Sequence, residues 1–87
     1  MAGNFQLMIF TPEEKVFEDS VISIVVPGEA GYLGVLADHA PLVTTLRMGR
    51  LEVTDRSGQR TSWKIASGFL EVVNNSATIL TEEIEKE

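Results

Sequence analysis

An alternation of apolar and polar residues with a period of two dominates this chain and points to β-strands. The segment 51–66, LEVTDRSGQRTSWKIA, alternates on both sides of a turn that contains Gly58. Because successive side chains of a strand point to opposite faces, this pattern predicts a hairpin with one buried face. The segment 69–80, FLEVVNNSATIL, repeats the pattern around Asn74 and Asn75, and Asn tolerates the positive φ of a tight turn.

The segment 21–26, VISIVV, is apolar at nearly every position. Its even-numbered positions carry Ile, Ile and Val, and its odd-numbered positions carry Val, Ser and Val. We therefore expect this strand to be covered on both sides or to lie in the middle of a sheet. The aromatic residues Trp63 and Phe69, which belong to the two hairpin segments, are also expected in the core.

Helix signals are few along the chain. The segment 11–14, TPEE, has the form of a helix capping box, but little apolar sequence follows it, so we interpret it as a turn between strands. Residues 82–87 are mostly acidic and too few to form a stable helix on their own. Many short strands with little helix predict an all-β sandwich or barrel, with a domain at 1–81 and a short acidic tail at 82–87.

Length and composition narrow the function classes. A chain of 87 residues forms one domain with a thin core, which disfavours an enzyme with a deep catalytic cleft. The absence of cysteine excludes zinc sites built on thiolates and favours a reducing compartment. The net charge of −6, with no strong basic stripe, disfavours nucleic-acid binding. No apolar run approaches the ~20 residues of a membrane span, so we expect no direct membrane insertion.

The residues that could carry out catalysis lack the necessary spacing. Asp38 and His39 are adjacent, so on an extended chain they point to opposite faces and form no dyad. No serine lies in a Gly-x-Ser-x-Gly elbow, and a single histidine without cysteine provides no metal-ligand spacing. Gly28, Gly31 and Gly34 suit tight turns better than a phosphate loop, because no Lys-Ser/Thr follows them. We therefore expect no catalytic residue, no metal and no cofactor.

The segment 31–42, GYLGVLADHAPL, holds the remaining candidates. Tyr32 lies in a Gly-rich stretch, where its large amphipathic ring is either a lid on the core or an interface contact. Pro41 forces the residue before it into extended geometry and makes a rigid ridge with His39 at one end. From the residues alone, a hydrogen bond of His39 within its own loop is favoured over a contact with a partner.

The same part of the chain carries a resemblance to a known family. The sequence PGEAGYLGVLADHAPLVTTLRMG, residues 27–49, resembles the signature of the epsilon subunits of F-type ATP synthases. That signature typically reads Val-x-x-Pro/Thr-Gly-x-x-Gly-x-Leu-Gly-Ile/Val-Leu-Pro-x-His-Ala-Pro-Leu, followed by Leu-x-x-Gly. Blocks at 11–17, 68–72 and 78–80 match the family in order, so the resemblance covers nearly the whole chain.

The resemblance implies a flattened two-sheet β-sandwich of about ten short strands and a place in the central stalk of the synthase. There the subunit links the gamma subunit to the ring of c subunits and supports the coupling of rotation to ATP synthesis, without catalysing a reaction. It implies a peripheral location on the cytoplasmic face of the bacterial cell membrane. The residues to which it assigns the interface with gamma and the c-ring are Tyr32, Gly34, His39, Pro41 and Leu42.

The chain departs from the family at several positions. Tyr32 stands where an acidic residue is frequent, so a contact with the ring at this position would be apolar rather than electrostatic. Ala37 replaces the usual Pro, and Asp38 replaces a frequent Gly or Asn. The family usually continues into two antiparallel helices that can inhibit ATP hydrolysis or bind ATP. Without that hairpin, we expect no inhibition and no nucleotide bound by this chain alone.

Two other functions stay open from the residues. A free-standing β-sandwich could bind a ligand or a protein through Tyr32 and Trp63, and a small hydrolase could use His39. Binding to a gamma subunit would separate a stalk subunit from both alternatives.

Overall fold

The computed structural model describes residues 3–87, which form nine β-strands and no helix, so the expectation of little helix is confirmed. The strands are β1 (Phe5–Phe10), β2 (Lys15–Gly28), β3 (Gly31–Leu36), β4 (Leu42–Leu46), β5 (Gly49–Asp55), β6 (Arg60–Ile65), β7 (Gly68–Val73), β8 (Ser76–Thr81) and β9 (Ile84–Lys86). The described residues include no helix long and apolar enough to cross a membrane.

β2 is the longest strand, and it connects two layers of the molecule. Its first part pairs antiparallel with β1. Its second part pairs with β3 on one edge and with β5 on the other, so that Val25 is registered with both Gly34 and Glu52. The segment 21–26 therefore lies in the middle of a sheet, as predicted.

The two layers share one hydrogen-bonded network. One layer has the strand order β3–β2–β5–β6–β9, and the other has the order β1–β8–β7–β4. The layers are joined where β1 pairs with β2 and where Leu46 of β4 pairs with Gly28. The all-β sandwich is thus confirmed, with nine strands against the predicted ten or so, and with its two layers continuous through β2.

The core lies between the layers and is built from alternate positions of the strands. In β1, Phe5, Leu7 and Ile9 are buried while the residues between them are partly exposed. Both layers contribute large side chains that are fully buried: Leu7, Ile9, Ile24, Leu51, Ile65, Leu70 and Ile79. Each such burial contributes roughly 1.5–3 kcal/mol. Trp63 packs at the margin of this core, edge-on against Phe17 with ring centroids 6.4 Å apart.

The predicted turns at 74–75 and 11–14 are present, as is the predicted turn at Gly58. Asn74 and Asn75 connect β7 to β8 with φ angles of 50° and 59°, the left-handed conformation that Asn tolerates. The segment 11–14 reverses the chain between β1 and β2, and the Thr11 N–H donates a hydrogen bond to the Glu14 carbonyl at 2.9 Å. This segment is a turn rather than the start of a helix, as interpreted from the sequence.

The turn of the β5–β6 hairpin is organised by Asp55. Its Oδ1 accepts hydrogen bonds from the Ser57 hydroxyl at 2.7 Å, from the Ser57 N–H at 2.9 Å and from the Gln59 N–H at 3.0 Å. These bonds favour the carboxylate, so the Ser57 hydroxyl, followed by the Gln59 N–H, lowers the pKa of Asp55. Gly58 supplies the positive φ of 89° that completes the turn.

The segment 82–87, predicted as a short acidic tail, contains strand β9. Ile84 pairs with Ile65 of β6 and packs against the core. The Arg50 Nε donates a hydrogen bond to Glu87 Oε1 at 3.1 Å. Part of this segment therefore belongs to the sheet, because backbone pairing with β6 needs only one apolar anchor.

Candidate functional site

Tyr32 lies near the start of β3 on the outer face of the molecule. Its side chain is 61% exposed, and its hydroxyl accepts a hydrogen bond from the Arg50 N–H at 3.2 Å. The ring thus crosses β2 towards β5. A Cβ at Gly49 would approach both Pro27 Cβ and Tyr32 Oη to 2.9 Å, so the glycine makes the room for this arrangement. No local pattern in the sequence indicates that Gly49 makes room for the Tyr32 ring.

Gly34 occupies the middle of β3, opposite Val25. It is exposed, and a Cβ built there would meet no atom nearer than the Ile24 carbonyl oxygen at 3.9 Å. Gly34 therefore leaves an open gap on the surface between the exposed side chains of Tyr32 and Leu36.

His39 lies in the loop that connects β3 to β4, and it is partly exposed. Its N–H donates to the Leu36 carbonyl at 3.3 Å, and its Nδ1 lies 2.7 Å from the Ala40 carbonyl oxygen. A carbonyl can only accept, so Nδ1 carries the hydrogen and Nε2 faces away from this bond. The predicted hydrogen bond of His39 within its own loop is confirmed.

The two residues that follow His39 and Ala40 differ in burial. Pro41 is exposed, whereas Leu42 begins β4, is partly buried and packs against the core. Pro41, two residues after His39, thus presents its ring to solvent, while Leu42 fixes the loop to the sandwich. Only part of the predicted ridge is therefore available for contact with another molecule.

A contact between two loops holds the His39 loop in place. Asp38 has a φ of 62°, and its N–H donates a hydrogen bond to Asn75 Oδ1 at 2.7 Å. The Asn75 side chain also donates through Nδ2 to the Asn4 carbonyl at 2.9 Å. The β7–β8 turn therefore ties the His39 loop to the start of β1. No local pattern in the sequence indicates this long-range contact.

The five residues predicted as an interface do not form one site. Tyr32 lies at the beginning of β3, whereas His39, Pro41 and Leu42 follow its far end. The six residues of β3 span about 20 Å at roughly 3.3 Å per residue. The structure therefore distributes the predicted residues over two surfaces, with Gly34 between them.

The outer side of the layer β1–β8–β7–β4 carries an apolar face, formed by the exposed side chains of Val43, Phe69 and Leu80 and the partly buried Phe10. Phe69 is registered with Leu80, and Leu80 with Phe10, so these three side chains form a row across neighbouring strands. Val43 is 72% exposed, Phe69 54% and Leu80 49%. The prediction that Phe69 lies in the core is wrong, because the alternate residues Leu70 and Val72 fill the core instead.

A groove with an acidic rim borders this apolar face. The groove has a volume of about 630 Å³, and its walls include Phe10, Phe69, Leu80 and Glu82. At its rim, the Thr45 hydroxyl donates a hydrogen bond to Glu29 Oε2 at 2.8 Å. The arrangement combines apolar surface with negative charge, which suits contact with a protein segment rather than proton transfer.

Tyr32 and Trp63, which the alternative binding module would use together, lie on opposite faces of their layer. Tyr32 shares the outer face with Val25 and Glu52, through the register of β3, β2 and β5. Trp63 is registered with Leu51 on the inner face. The two aromatic rings therefore cannot line one pocket.

Comparison with known families gives a match over most of the chain. Residues 4–87 match the family described as ATP synthase, Delta/Epsilon chain, beta-sandwich domain. A protein of Protochlamydia amoebophila (strain UWE25) named ATP synthase epsilon chain is 42% identical over 81 residues, covering 93% of this chain and 55% of that protein. A protein of the same name from Desulfatibacillum aliphaticivorans is 38% identical over 86 residues, covering 99% and 61%. The chain thus spans less than two thirds of these relatives.

Solved structures give the same likeness in three dimensions. The chain is similar to a chain in the Euglena gracilis mitochondrial ATP synthase, OSCP/F1/c-ring in rotational state 1, with a TM-score of 0.91 and 28% identity over 95% of this chain and 53% of the other. A chain of the Tetrahymena thermophila mitochondrial ATP synthase, central stalk/c-ring, has a TM-score of 0.77, with 95% and 66% covered. At 14% identity, this second likeness concerns the fold alone.

Proposed function

Because this chain belongs to the family of ATP synthase delta and epsilon chains and matches its β-sandwich domain, we propose that it is a central-stalk subunit of an F-type ATP synthase. In this role it links the gamma subunit to the c-ring and supports the coupling of rotation to ATP synthesis. It acts by contact and catalyses no reaction itself. It is peripheral to the cytoplasmic face of the bacterial cell membrane, as part of the complex.

The observation that carries the proposal is the exposed apolar face. A row of large side chains across neighbouring strands is typical of a surface that another protein covers. Phe69, at 54% exposed, lies in the row and is the kind of aromatic residue that dominates binding energy at interfaces. The acidic rim at Glu29 and Glu82 provides the charged border that such interfaces have.

The gamma subunit covers the apolar face and the end of the sandwich that carries His39. Val43 of the apolar face follows Pro41 and Leu42 in the chain, so the loop and the face form one continuous surface. The Nε2 of His39, on the side of the ring away from the Ala40 carbonyl, can accept a hydrogen bond across this interface.

The c-ring contacts the opposite end of β3, where Tyr32 is exposed. The ring of Tyr32 lies across β2 and exposes apolar surface. Its hydroxyl already accepts a hydrogen bond from the Arg50 N–H. The contact is therefore mainly apolar. Contacts with two partners at the two ends of β3 agree with the separation of Tyr32 from His39, Pro41 and Leu42.

No ATP and no nucleic acid bind to this chain alone in the proposed role. The net charge of −6 disfavours polyanions, including nucleic acids. The chain also does not inhibit ATP hydrolysis by itself, because the sandwich contacts the rotor rather than the catalytic subunits.

Reconstitution tests the proposed role directly. Membrane vesicles that contain the synthase of the source organism are depleted of its own epsilon subunit and supplied with this chain. We expect proton-driven ATP synthesis to recover, with ATP hydrolysis not reduced several-fold at any ATP concentration. Phe69→Ser is the matched variant and should restore less synthesis. A chain that neither associates with the depleted complex nor restores synthesis would overturn the proposal.

A further inference from the structure

The layer β3–β2–β5–β6–β9 has two edge strands, and the chain protects only one of them. Edge strands expose unpaired backbone N–H and C=O groups, which proteins usually guard by shortness, charge or proline. β9 is three residues long, and acidic residues at 82, 83, 85 and 87 lie within and beside it. Its edge therefore resists the addition of another strand.

β3 has none of these protections. It is six residues long, and its sequence, GYLGVL, contains no charged residue and no proline. Within residues 3–87 it pairs with β2 alone. Tyr32 and Leu36 are 61% and 65% exposed, and Gly34 between them is exposed as well. The β9 edge of the layer is protected and the opposite β3 edge is not, which indicates that β3 is kept available for pairing with another strand.

The register identifies the backbone groups that point away from β2. The two-residue turn after Gly28 makes Gly28 and Gly31 a hydrogen-bonded pair. In an antiparallel ladder, hydrogen-bonded and non-hydrogen-bonded pairs alternate. Tyr32, Gly34 and Leu36 therefore occupy the positions whose N–H and C=O groups face outward.

The surroundings of β3 leave most of these groups accessible. The Tyr32 side chain leans across β2 to its hydrogen bond with Arg50, and Gly34 has no side chain to cover the edge. The Leu36 carbonyl accepts the His39 N–H at 3.3 Å and so ends the free stretch. What remains is the N–H and C=O of Tyr32 and of Gly34, with the N–H of Leu36.

We infer that β3 is a strand-addition site, at which an extended strand of a partner protein pairs with this free edge. The inference rests on the proposed function, which supplies the partners of the stalk. An extended backbone presents donors and acceptors at the spacing of about 7 Å that alternate strand residues require. Since Tyr32 and Leu36 project to one face with Gly34 between them, the added strand carries apolar side chains on that face, one of them large enough to fill the gap.

Two substitutions at one position separate backbone pairing from side-chain effects. Gly34→Pro removes the outward N–H at the centre of the edge, and proline is tolerated on edge strands where that N–H faces away from the sheet. Gly34→Ala keeps the N–H and adds a methyl group into open space. Circular dichroism and a thermal melt first establish that both variants are folded.

Affinity is then measured by biolayer interferometry against the purified gamma subunit and, separately, the purified c-ring. We expect Gly34→Pro to weaken binding to one of these partners about tenfold, as for the loss of one or two hydrogen bonds, and Gly34→Ala, which keeps the N–H, to weaken it clearly less. Unchanged affinity of Gly34→Pro for both partners overturns strand addition and leaves the proposed function standing. A wild-type chain that binds neither partner overturns both.

Two further measurements complement the affinities: hydrogen exchange uses only the wild-type chain with its partner, and sedimentation uses the isolated chain. Amide hydrogen exchange of residues 31–36 in the wild-type chain should slow at least about tenfold on binding the partner, because the added strand would protect the outward N–H groups. Unchanged exchange in the bound state would count against the inference. Sedimentation of the isolated chain tests whether a second copy of this chain pairs with β3 instead. A dimer that Gly34→Pro abolishes would assign the edge to that second copy and overturn the inference that a partner protein adds a strand there.

Discussion

Asn75 Oδ1 accepts a hydrogen bond from the Asp38 N–H at 2.7 Å, and this bond ties the His39 loop to the β7–β8 turn. The same side chain donates to the Asn4 carbonyl at 2.9 Å. One amide therefore fixes two other segments, β1 and the loop before β4, at one end of the sandwich. The geometry of the surface that contains His39 depends on a residue 36 positions away in the chain.

Replacing Asn75 should destabilise the protein more than replacing its neighbour. Asn75→Gly keeps the positive φ but removes both side-chain hydrogen bonds, so we expect the free energy of unfolding to fall by about 1–2 kcal/mol. Asn74→Gly is the control, because Asn74 also has a positive φ and serves only the turn. Urea unfolding of the two variants measures the difference, and equal effects would show that the Asn75 side chain is not needed.

Gly68→Ala should be strongly destabilising, because β7 and β8 approach closely at this point. A Cβ at Gly68 would overlap the Leu80 carbonyl oxygen and would lie 3.0 Å from the Thr81 Cα. The strands must separate to admit it, and we expect a loss of more than about 2 kcal/mol. Gly34→Ala, which adds a methyl in open space, should change stability by less than about 1 kcal/mol. Thermal melts that rank the two variants in the opposite order would contradict the packing at Gly68.

The turn at Asp55 should lose its contribution to stability in acid. Hydrogen bonds from Ser57 and Gln59 lower the pKa of Asp55 below 3.8, so the folded state favours the carboxylate. A depressed folded pKa contributes stability above the unfolded value, and this is lost as the pH falls through the folded pKa. Since the carboxylate is exposed, we expect a small effect, visible as a low-pH titration of the Ser57 and Gln59 amide resonances in NMR. Asp55→Asn should abolish that titration, and a midpoint above 3.8 would contradict the direction of the shift.

His39→Ala should weaken binding to the gamma subunit by about 1–2 kcal/mol, as for the loss of a buried hydrogen bond. Stability should stay nearly unchanged, because the ring of His39 bonds only within its exposed loop. Affinity measurements and urea unfolding on the same preparations separate the two effects. A fall in stability of several kcal/mol with unchanged affinity would assign His39 a purely structural role.

Local patterns account for the features that could be predicted from the sequence. The hairpins at 51–66 and 69–80 follow from alternation and from turn residues that lie next to each other. Asp38 stands where the resembling family often has Gly or Asn, and its φ of 62° explains that preference in conformational terms. The loop bond of His39 is likewise local.

Long-range pairing accounts for most of what could not be predicted. The parallel pair of β1 and β8, the sharing of β2 between layers and the contact of Asn75 with Asp38 all join segments distant in sequence. The face occupied by Phe69 was misjudged for a different reason, since both faces of FLEVV carry large apolar residues. Glu71, two residues after Phe69 on the same face, was the signal that this face is exposed.

Titration calorimetry of the chain with the purified gamma subunit tests the central claim most directly. The wild-type chain should bind, and Phe69→Ser, which alters the middle of the apolar face, should weaken binding at least about tenfold. Met48→Ser, at a residue 81% exposed outside that face, should leave the affinity within about twofold of the wild type. Absence of binding by the wild-type chain, or an equal effect of the two substitutions, would contradict a stalk subunit that contacts gamma through this face.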